Sequence, residues 1–495
     1  MGIVAALYAS VLLVLAKGHQ PGADSHYHYM MGRAISRGEI VPDVARALPL
    51  TVLHDMPVDH YWGYHVLLAP FAWIGALTTQ EIGMKVATVA LFALVFVAID
   101  AFLRARGVRF SWAWSLACAC FSTQDWRYLQ LRGGQWMVPI LFLLVHVAFF
   151  AEMRARTRRV ALVAIAYVAM LSYHGAVVLL PFHAAGVVAL AIARREDRAR
   201  LVDPIFVALG LALGLTLNPY MDARASTWRF FALHVGDMGR DTAHLYDDQD
   251  VAEFHGFPFR VTLENPEWLV LLVGALAAIA FVAWRAFKKN AERDAIILAA
   301  MTAMGIALTA QAMRTREYSV PMAIALFAVL APRGAAAPIA NAVVAALTAL
   351  TMVVHGRGTV PLIMTHLPTH QYDGARPLLE ANGDHPILNI AEADYCMLLW
   401  QWDRVVCVQA LSRYFIYPYA SLFHDVWTLH DHADTSPETT AILRRFWDRG
   451  VRLVAVHRTN VMYRYAERHP AELVPVFRSP VNGATIYALD RSHLD

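Results

Sequence analysis

Acidic side chains gather in the stretch that follows the first apolar segment. Asp24 comes shortly after the apolar residues 2–16, and Asp55 and Asp59 follow in LHDMPVDHYWGYH. Chemistry is expected where ionisable groups cluster beside a membrane, and carboxylates are common proton-transfer groups. Asp24 also has a simpler interpretation, because Asp is a frequent helix N-cap and a weak helical pattern, typical of an amphipathic helix beside a membrane, begins at Ser25. Both interpretations of Asp24 stay open from the sequence.

Arginines stand in two later turns. STQDWRYLQLRGGQW contains Asp125 with Arg127 and Arg132, and MRTREYSVP contains Arg314 and Arg316. An arginine at the mouth of a helix bundle can bind a phosphate bidentately and keeps its charge at any relevant pH. The alternative is an interfacial arginine whose side chain extends to water.

Two further features involve histidine. His174, in SYHGA, is either a ligand contact or a hydrogen-bonded structural residue. The segment 219–266 is rich in acids and histidines: His234, Asp237, Asp241, His244, Asp247, Asp248, Asp250, Glu253 and His255. Such carboxylates suit Ca²⁺ or Mg²⁺, and the histidines would permit a transition metal such as Mn²⁺. The spacing fits no EF-hand and no HExxH site, so sugar binding and a merely solvated acidic loop stay open as alternatives to a metal site.

The composition places these groups in a membrane protein. Of the 495 residues, 58% are hydrophobic and only 16% are charged, against about 25% in soluble proteins. The net charge of +3 argues against nucleic acid as a partner, and four cysteines are too few for a disulfide-framed secreted fold.

Apolar segments of nearly spanning length recur along the chain. They cover residues 2–16, 61–77, 82–103, 109–123, 136–151, 159–173, 175–193, 202–218, 267–286, 294–313, 318–331 and 336–354. Five basic segments alternate with segments poorer in cations, and the positive-inside rule puts them in the cytoplasm: 104–109, 152–159, 194–203, 285–294 and 332–338. This pattern is satisfied if 61–77, with Pro70, lies at the interface and does not cross. We therefore predict about eleven crossings with a cytoplasmic amino terminus.

The carboxyl-terminal residues 355–495 are polar enough for a small α/β domain outside the cytoplasm. Strands are predicted at 386–391, 404–409, 451–456, 473–477 and 484–489, the last two as a hairpin around Asn482-Gly483. A helix is predicted over 436–450, with Ser436 as N-cap. Cys396 and Cys407 could pair in an oxidising compartment or remain inert thiols.

The arrangement resembles the GT-C-type membrane glycosyltransferases, which include protein O-mannosyltransferases, the lipid A aminoarabinose transferase and oligosaccharyltransferases. Their first-loop catalytic Asp matches Asp24 in GADSHYHYMMGRAI, which also brings in His26. Their acidic-Pro-aromatic segment matches HDMPVDHYWGYHVLLAPFAWIG, with Asp55 and Asp59. Their basic-aromatic-Pro opening of a late span matches TREYSVPMAIALFAVL.

In that last match, Arg314 or Arg316 would meet the phosphate of the carrier lipid, and Tyr318 lies beside them. Many relatives carry a second acid, often serving a metal, where LRGGQW has Gln135. Asp125 is the nearest acid, so the resemblance leaves the metal unknown; Mg²⁺, Mn²⁺ or Ca²⁺ would be candidates.

The apolar segments and the charge pattern predict a mainly α, polytopic bundle over 1–354, with outer loops 17–81 and 219–266, and an extracytoplasmic domain over 355–495. The resemblance implies transfer of a sugar from a polyprenyl-phosphate donor to a hydroxyl of a glycan, lipid or protein, and the Ala- and Arg-rich, Lys-poor composition is typical of a protein of a bacterial inner (plasma) membrane. Asp24 would be the base and the anomeric centre would invert. The competing classes are a transporter or flippase of lipid-linked components, and a non-catalytic envelope scaffold.

Overall fold

The computed structural model describes residues 1–16, 19–120, 124–220, 266–311, 315–331, 371–409, 420–481 and 483–494, with isolated positions elsewhere. The helices up to residue 216 are α1 (Gly2–Leu15), α2 (Asp24–Ser36), α3 (Val44–Ala47), α4 (Val52–Asp55), α5 (Trp62–Leu77), α6 (Gln80–Ala105), α7 (Ser111–Ala117), α8 (Gln124–Leu129), α9 (Gly133–Val145), α10 (Ala155–Ser172), α11 (Leu179–Ala193) and α12 (Asp203–Thr216). Those that follow are α13 (Pro266–Phe287), α14 (Arg293–Gln311), α15 (Arg316–Leu330), α16 (Arg376–Asn382), α17 (Glu392–Gln401), α18 (Ala420–Asp431), α19 (Thr439–Asp448) and α20 (Val461–Arg468).

Many of the helices are as long and as apolar as those of a membrane-spanning bundle. Within the described residues, six helical stretches are long and apolar enough to cross a bilayer: Gln80–Ala105, Gly133–Phe150, His174–Ala193, Asp197–Thr216, Trp268–Phe287 and Arg293–Gln311. Two shorter apolar helices are α1 and α5. The chain is therefore a mainly helical membrane protein with a small sheet.

Basic segments meet at one end of the bundle. Arg106 lies 3.9 Å from Asp294, and Arg293 lies 3.3 Å from Asp197. These ion pairs join the segments that follow α6 and α11 to the start of α14, which comes directly after α13 in the chain. Three basic segments far apart in sequence thus share one side of the bundle.

Helix α6 leads from this basic end to the opposite end, where α2 lies. Its 26 residues span about 39 Å at 1.5 Å per residue. Near its start, the Tyr29 hydroxyl of α2 sits between Gly75 and Gly83, where an added Cβ would come within 2.0 and 2.2 Å of it. Helix α2 is therefore separated from the basic end by more than the roughly 30 Å hydrocarbon core of a bilayer.

Helix α2 lies between α5 on one side and α17 on the other. The predicted helix is present, and its residues Ser25 to Gly32 are all buried, so protein encloses it on more than the one face that an amphipathic helix would bury. Trp400 of α17 packs against the rings of His26 and Tyr29, at centroid distances of 5.1 and 5.9 Å. The carboxyl-terminal part of the chain thus covers the first loop directly.

Four strands form one sheet in the order β1-β2-β4-β3: β1 (Ile387–Asn389), β2 (Leu453–Val456), β3 (Leu473–Arg478) and β4 (Thr485–Leu489). β1 and β2 are parallel, and β3 and β4 form the predicted antiparallel hairpin. The strand predicted over 404–409 is wrong, since the segment makes only an isolated bridge to β1: the N–H of Ile387 donates to the Val406 carbonyl at 2.8 Å and the N–H of Val408 to the Ile387 carbonyl at 3.0 Å. At the next acceptor along β1, the Asn389 carbonyl, the side-chain amide of Gln409 is the donor.

The same region holds the predicted helix and the two cysteines. The predicted helix over 436–450 is α19, which begins at Thr439 and not after Ser436. Cys396 and Cys407 are both buried as free thiols in this structure.

Candidate active site

Asp24 is the first residue of α2 and faces a cation. The N-cap of the helix is Ala23, and no side chain caps it, so the interpretation of Asp24 as a plain N-cap is wrong. Oδ2 of Asp24 lies 3.2 Å from Nη2 of Arg132, and the Asp24 side chain is 33% exposed. A carboxylate that is fixed on one side and open on the other can reach a substrate.

The start of α2 is tied to the residues before α9. The Ser25 hydroxyl donates to the carbonyl of Pro21 at 2.6 Å and accepts from the N–H of Leu131 at 3.0 Å. Gly22 has φ +71°, and the Gln130 side chain lies 3.0 Å from the place of its missing Cβ. A side chain at position 22 would be strained by the backbone and would press on Gln130.

The same stretch of chain holds the start of α15. Nε of Arg127 lies 2.8 Å from Oε1 of Glu317, and both side chains are at least 90% buried. The Tyr128 hydroxyl donates to the Glu317 carbonyl at 2.9 Å. At Gly134 an added Cβ would fall 2.6 Å from Oε2 of Glu317, so α9 can approach α15 this closely only with glycine there. We call residues 127–134 the bridging segment, because it contacts both Asp24 and Glu317.

Of the two predicted phosphate-binding residues, the structure describes Arg316, which directly precedes Glu317. The Arg316 guanidinium lies 5.6 Å from the ring centroid of Trp268, at the start of α13, and Tyr318 is buried. Arg314 lies outside the described residues. Asp125 lies on α8, but its side chain is outside the described part of the structure.

The remaining predicted site residues lie in three places: α4, α2 and the turn that follows α10. Asp55 is exposed at the end of α4, whereas His26 is wholly buried against Trp400. His174 is half-buried, and its ring contacts those of His60 and Tyr61 at centroid distances of 5.6 and 5.4 Å.

Asp59 is buried and belongs to a hydrogen-bonded row of three side chains. Its other two members, His65 and His28, were not predicted from the sequence. Oδ2 of Asp59 lies 2.5 Å from Nδ1 of His65, and Nε2 of His65 lies 2.7 Å from Nδ1 of His28. His28 follows Asp24 by one helical turn on α2, and this i, i+4 spacing was the signal available in the sequence. Arg132, the partner of Asp24, carried no comparable signal.

Burial and charge together keep nearby groups protonated. Burial raises the pKa of the Tyr27 phenol well above its usual range, and the charge of Asp59 raises it further. Burial likewise raises the pKa of the Cys396 thiol, with a smaller contribution from Asp24. Tyr27 is therefore a neutral phenol and Cys396 a neutral thiol, which does not act as a nucleophile.

The described residues offer no evident metal centre. Gln135 is buried, and its amide donates to the carbonyl of Tyr128 at 2.5 Å, so it serves a structural bond where relatives carry an acid. Across the described ranges, no group of three or more His, Cys, Asp or Glu side chains could hold an ion. The acidic segment within 219–266 lies outside the described residues.

Comparison with known proteins identifies the fold. The model of glycosyltransferase family 87 matches residues 63–312, half of the chain. The oligosaccharyltransferase of Archaeoglobus fulgidus, solved with Zn and sulfate, superposes with a TM-score of 0.56 at 13% identity, over 99% of this chain and 73% of that chain. The same organism's AglB, solved with an inhibitory peptide and a dolichol-phosphate, gives a TM-score of 0.54 at 12% identity, over 99% and 74%.

A third structure matches nearly end to end. ArnT from Cupriavidus metallidurans in the apo state gives a TM-score of 0.54 at 12% identity, over 98% of both chains. No curated protein sequence matches the chain. At these identities the similarity concerns the fold, and it confirms the resemblance to GT-C-type enzymes.

Proposed function

The chain belongs to glycosyltransferase family 87, and we propose that it moves a sugar from a polyprenyl-phosphate donor to an acceptor hydroxyl at the outer face of the membrane. The observation that carries this proposal is the bridging segment 127–134. It holds Asp24 through Arg132 and the start of α15 through Arg127. The proposed base and the first turn of the helix that carries the proposed phosphate-binding Arg316 thus contact one stretch of chain.

In this proposal Asp24 is the general base. Its carboxylate takes the proton of the acceptor hydroxyl while the acceptor oxygen attacks the anomeric carbon. The bond from that carbon to the donor phosphate breaks on the opposite face, and the phosphate leaves with the electron pair. A single displacement of this kind inverts the anomeric centre. Proton transfer to a positioned base contributes about 10²–10⁴-fold to such a reaction.

Arg316 would stabilise the charge that develops on the departing phosphate, with Arg314 as its neighbour in sequence. The guanidinium of Arg316 lies beside Trp268, at the end of the bundle that also carries Asp24. Preorganised cations aimed at developing charge are usually the largest electrostatic contribution to catalysis. His26, Asp59, His174 and Tyr318 would line or support the same site. Gln135, whose amide donates to the Tyr128 carbonyl, supplies no carboxylate ligand for a metal, and no step of the proposed reaction uses one.

The topology belongs to the same proposal. Residues 1–354 would form the membrane domain with about eleven crossings, and residues 355–495 a domain on the outer side. In support, α2 and α17 contact each other at one end of the bundle, and the basic segments meet at the other. The positive-inside rule then puts Asp24 and the sheet outside the cytoplasm.

The test is transfer by purified protein from a panel of polyprenyl-phosphate sugars. We expect the wild type to use at least one donor and Asp24→Asn, which keeps the side chain's shape, to lose at least about 10²-fold in rate. The matched control is Asp403→Asn, which removes an exposed ion pair to Arg37 near the end of α2. A panel without turnover by the wild type, or full activity in Asp24→Asn, would contradict the proposal.

A further inference from the structure

A pocket of about 250 Å³ lies at the basic end of the bundle, where α13 ends and α14 begins. Three buried apolar side chains line it, one each from α13, α14 and α15: Val282, Ala295 and Val329. Two charged residues also line it, the half-buried Arg285 and the exposed Glu292. Sites that enclose a whole small ligand measure roughly 300–1,000 Å³. This pocket is therefore sized for one part of a molecule, such as a headgroup.

The pocket lies beside the lipid-facing surface of α13. Phe281, which lines the pocket, is exposed, and so are Trp284 and Phe287 about one and two turns further along the helix. Aromatic side chains are enriched where a membrane-spanning helix meets the headgroup region. Earlier in α13 the large exposed side chains are also apolar: Val270, Val273 and Leu276. A molecule whose polar part enters the pocket can therefore keep apolar chains alongside α13.

The charges around the pocket are mainly positive. Lys288 and Lys289 lie in the exposed turn that joins Arg285 to α14. In the part of the chain that the structure describes, none of these three cations forms an ion pair. Of the two acids that follow, Asp294 lies 3.9 Å from an arginine after α6, and only Glu292 lines the pocket. Three cations against one lining carboxylate favour a ligand with net negative charge.

Lys289 stands at a position where glycine would be more stable. Its φ is +58°, in the left-handed region. The N–H of Asn290 donates to the carbonyl of Arg285 at 2.8 Å. The N–H of Lys289 donates to the carbonyl of Ala286 at 2.9 Å, which completes the Schellman pattern that usually has glycine here. Because a side chain at positive φ costs free energy, termination of α13 does not explain the lysine, and its positive charge is what the position gains.

We propose that this pocket binds the phosphate of an anionic phospholipid, whose acyl chains lie along the exposed apolar side chains of α13. Arg285 donates to the phosphate, since a guanidinium binds phosphate bidentately. Lys288 and Lys289 add the attraction that cations at the end of a membrane helix exert on anionic headgroups. The apolar lining and the neighbouring lipid-facing surface favour a lipid over a soluble phosphate ion. The inference does not depend on the proposed function, because Asp24 lies at the opposite end of the bundle.

The first test is native mass spectrometry of detergent-solubilised protein titrated with phosphatidylglycerol, and with phosphatidylcholine as the headgroup without net charge. We expect the wild type to prefer phosphatidylglycerol and Arg285→Gln to weaken its binding about tenfold or more. The matched control is Arg156→Gln, which removes an exposed arginine from the basic segment 152–159 and should leave the affinity unchanged. Equal losses in both variants would indicate general attraction to a basic surface and would overturn the site.

Three further variants separate charge, shape and strain. Glu292→Gln removes the carboxylate that opposes an anion and should strengthen binding; weaker binding would instead indicate a zwitterionic headgroup and contradict the proposal. Ala291→Trp fills the pocket without changing its charge and should abolish binding. Lys289→Gly should weaken binding about fivefold and raise the unfolding temperature of the lipid-free protein. A Lys289→Gly variant that binds phosphatidylglycerol as tightly as the wild type would refute the role of this lysine.

A last measurement uses the wild type alone. Phosphatidylglycerol with a photoreactive group near its headgroup should label peptides within residues 281–295, and an excess of inorganic phosphate should not prevent the labelling. Labelling confined to other segments, or displacement by inorganic phosphate, would overturn the assignment to a lipid even if every variant failed to fold.

Discussion

Two arginines in the bridging segment should respond oppositely to the same substitution. Arg132 pairs with Asp24 at 3.2 Å, and the two side chains are 14% and 33% exposed. Arg127 pairs with Glu317 at 2.8 Å, and those side chains are 10% and 6% exposed. The two arginines therefore differ in how deeply their ion pairs are buried, but they have the same charge and residue type and lie in the same segment. Arg132→Gln and Arg127→Gln form a matched pair of variants.

The structure predicts different losses of stability for the two variants. Water screens the Asp24–Arg132 pair in part, and pairs with such exposure contribute at most about 1 kcal/mol. Arg132 is the N-cap of α9 but makes no capping bond through its side chain, so no helix cap is lost. Removing Arg127 leaves the Glu317 carboxylate buried without its partner cation, and such losses cost about 3–5 kcal/mol.

The expected activities run the other way. Without Arg132, Asp24 loses the ion pair that orients it, and misplacement by about 1 Å can cost 10²-fold in rate. Arg127→Gln should lower the unfolding temperature first, and the fraction that stays folded should keep more activity than Arg132→Gln, because Arg127 contacts neither Asp24 nor Arg316 directly.

The assay combines thermal unfolding in detergent with transfer kinetics per folded molecule. Arg132→Gln should unfold close to the wild type and show about 10²-fold lower kcat/KM. Unimpaired transfer by Arg132→Gln, or a large loss of stability in it, would refute the assignment of this pair to the reaction. An Arg127→Gln protein as stable as the wild type would refute the buried ion pair.

Two further predictions concern stability. Gly134→Ala places a Cβ 2.6 Å from Oε2 of Glu317 and should destabilise by about 1–3 kcal/mol, whereas Gly274→Ala, whose nearest neighbour is 3.3 Å away, should be neutral or stabilising in thermal unfolding. Burial raises the pKa of Asp394 to about 7, so the folded protein holds a proton that the unfolded chain releases near pH 4. The wild type should lose stability as pH rises from about 4 to 7 and level off above it, and Asp394→Asn, which carries no titrating proton, should lose less over that interval. Parallel pH profiles for the two proteins would contradict this.

Local signals predicted several elements correctly. The apolar alternation and the Gly483 turn, with φ +76°, specify the β3–β4 hairpin, because both act within a few residues. The weak periodicity after Asp24 was enough for α2. The extent of burial around α2 was not predictable, since it depends on α17, which lies more than 350 residues later in the chain.

Polar contacts between residues far apart in the sequence explain the other predictions that were wrong. The run over 404–409 is apolar like a strand, but beyond Val408 its hydrogen bonds to the backbone of β1 are made by the side chain of Gln409, whose amide donates to the Asn389 carbonyl. Asp24 looked like a cap because its partner, Arg132, is 108 positions away. An ion pair between the starts of two helices leaves no periodic trace in either helix, so a single sequence cannot reveal it.

The same geometry explains why the proposed base sits on a buried helix and not on an exposed loop. Helix α2 is held by α5 and α6 from the membrane side, where Tyr29 fits between two glycines, and by Trp400 from the carboxyl-terminal side. Catalytic groups need positions fixed to within about 0.5 Å, and loops seldom provide this. The carboxyl-terminal residues are then part of the scaffold of the site, since removing α17 would expose one side of the helix that carries the proposed base.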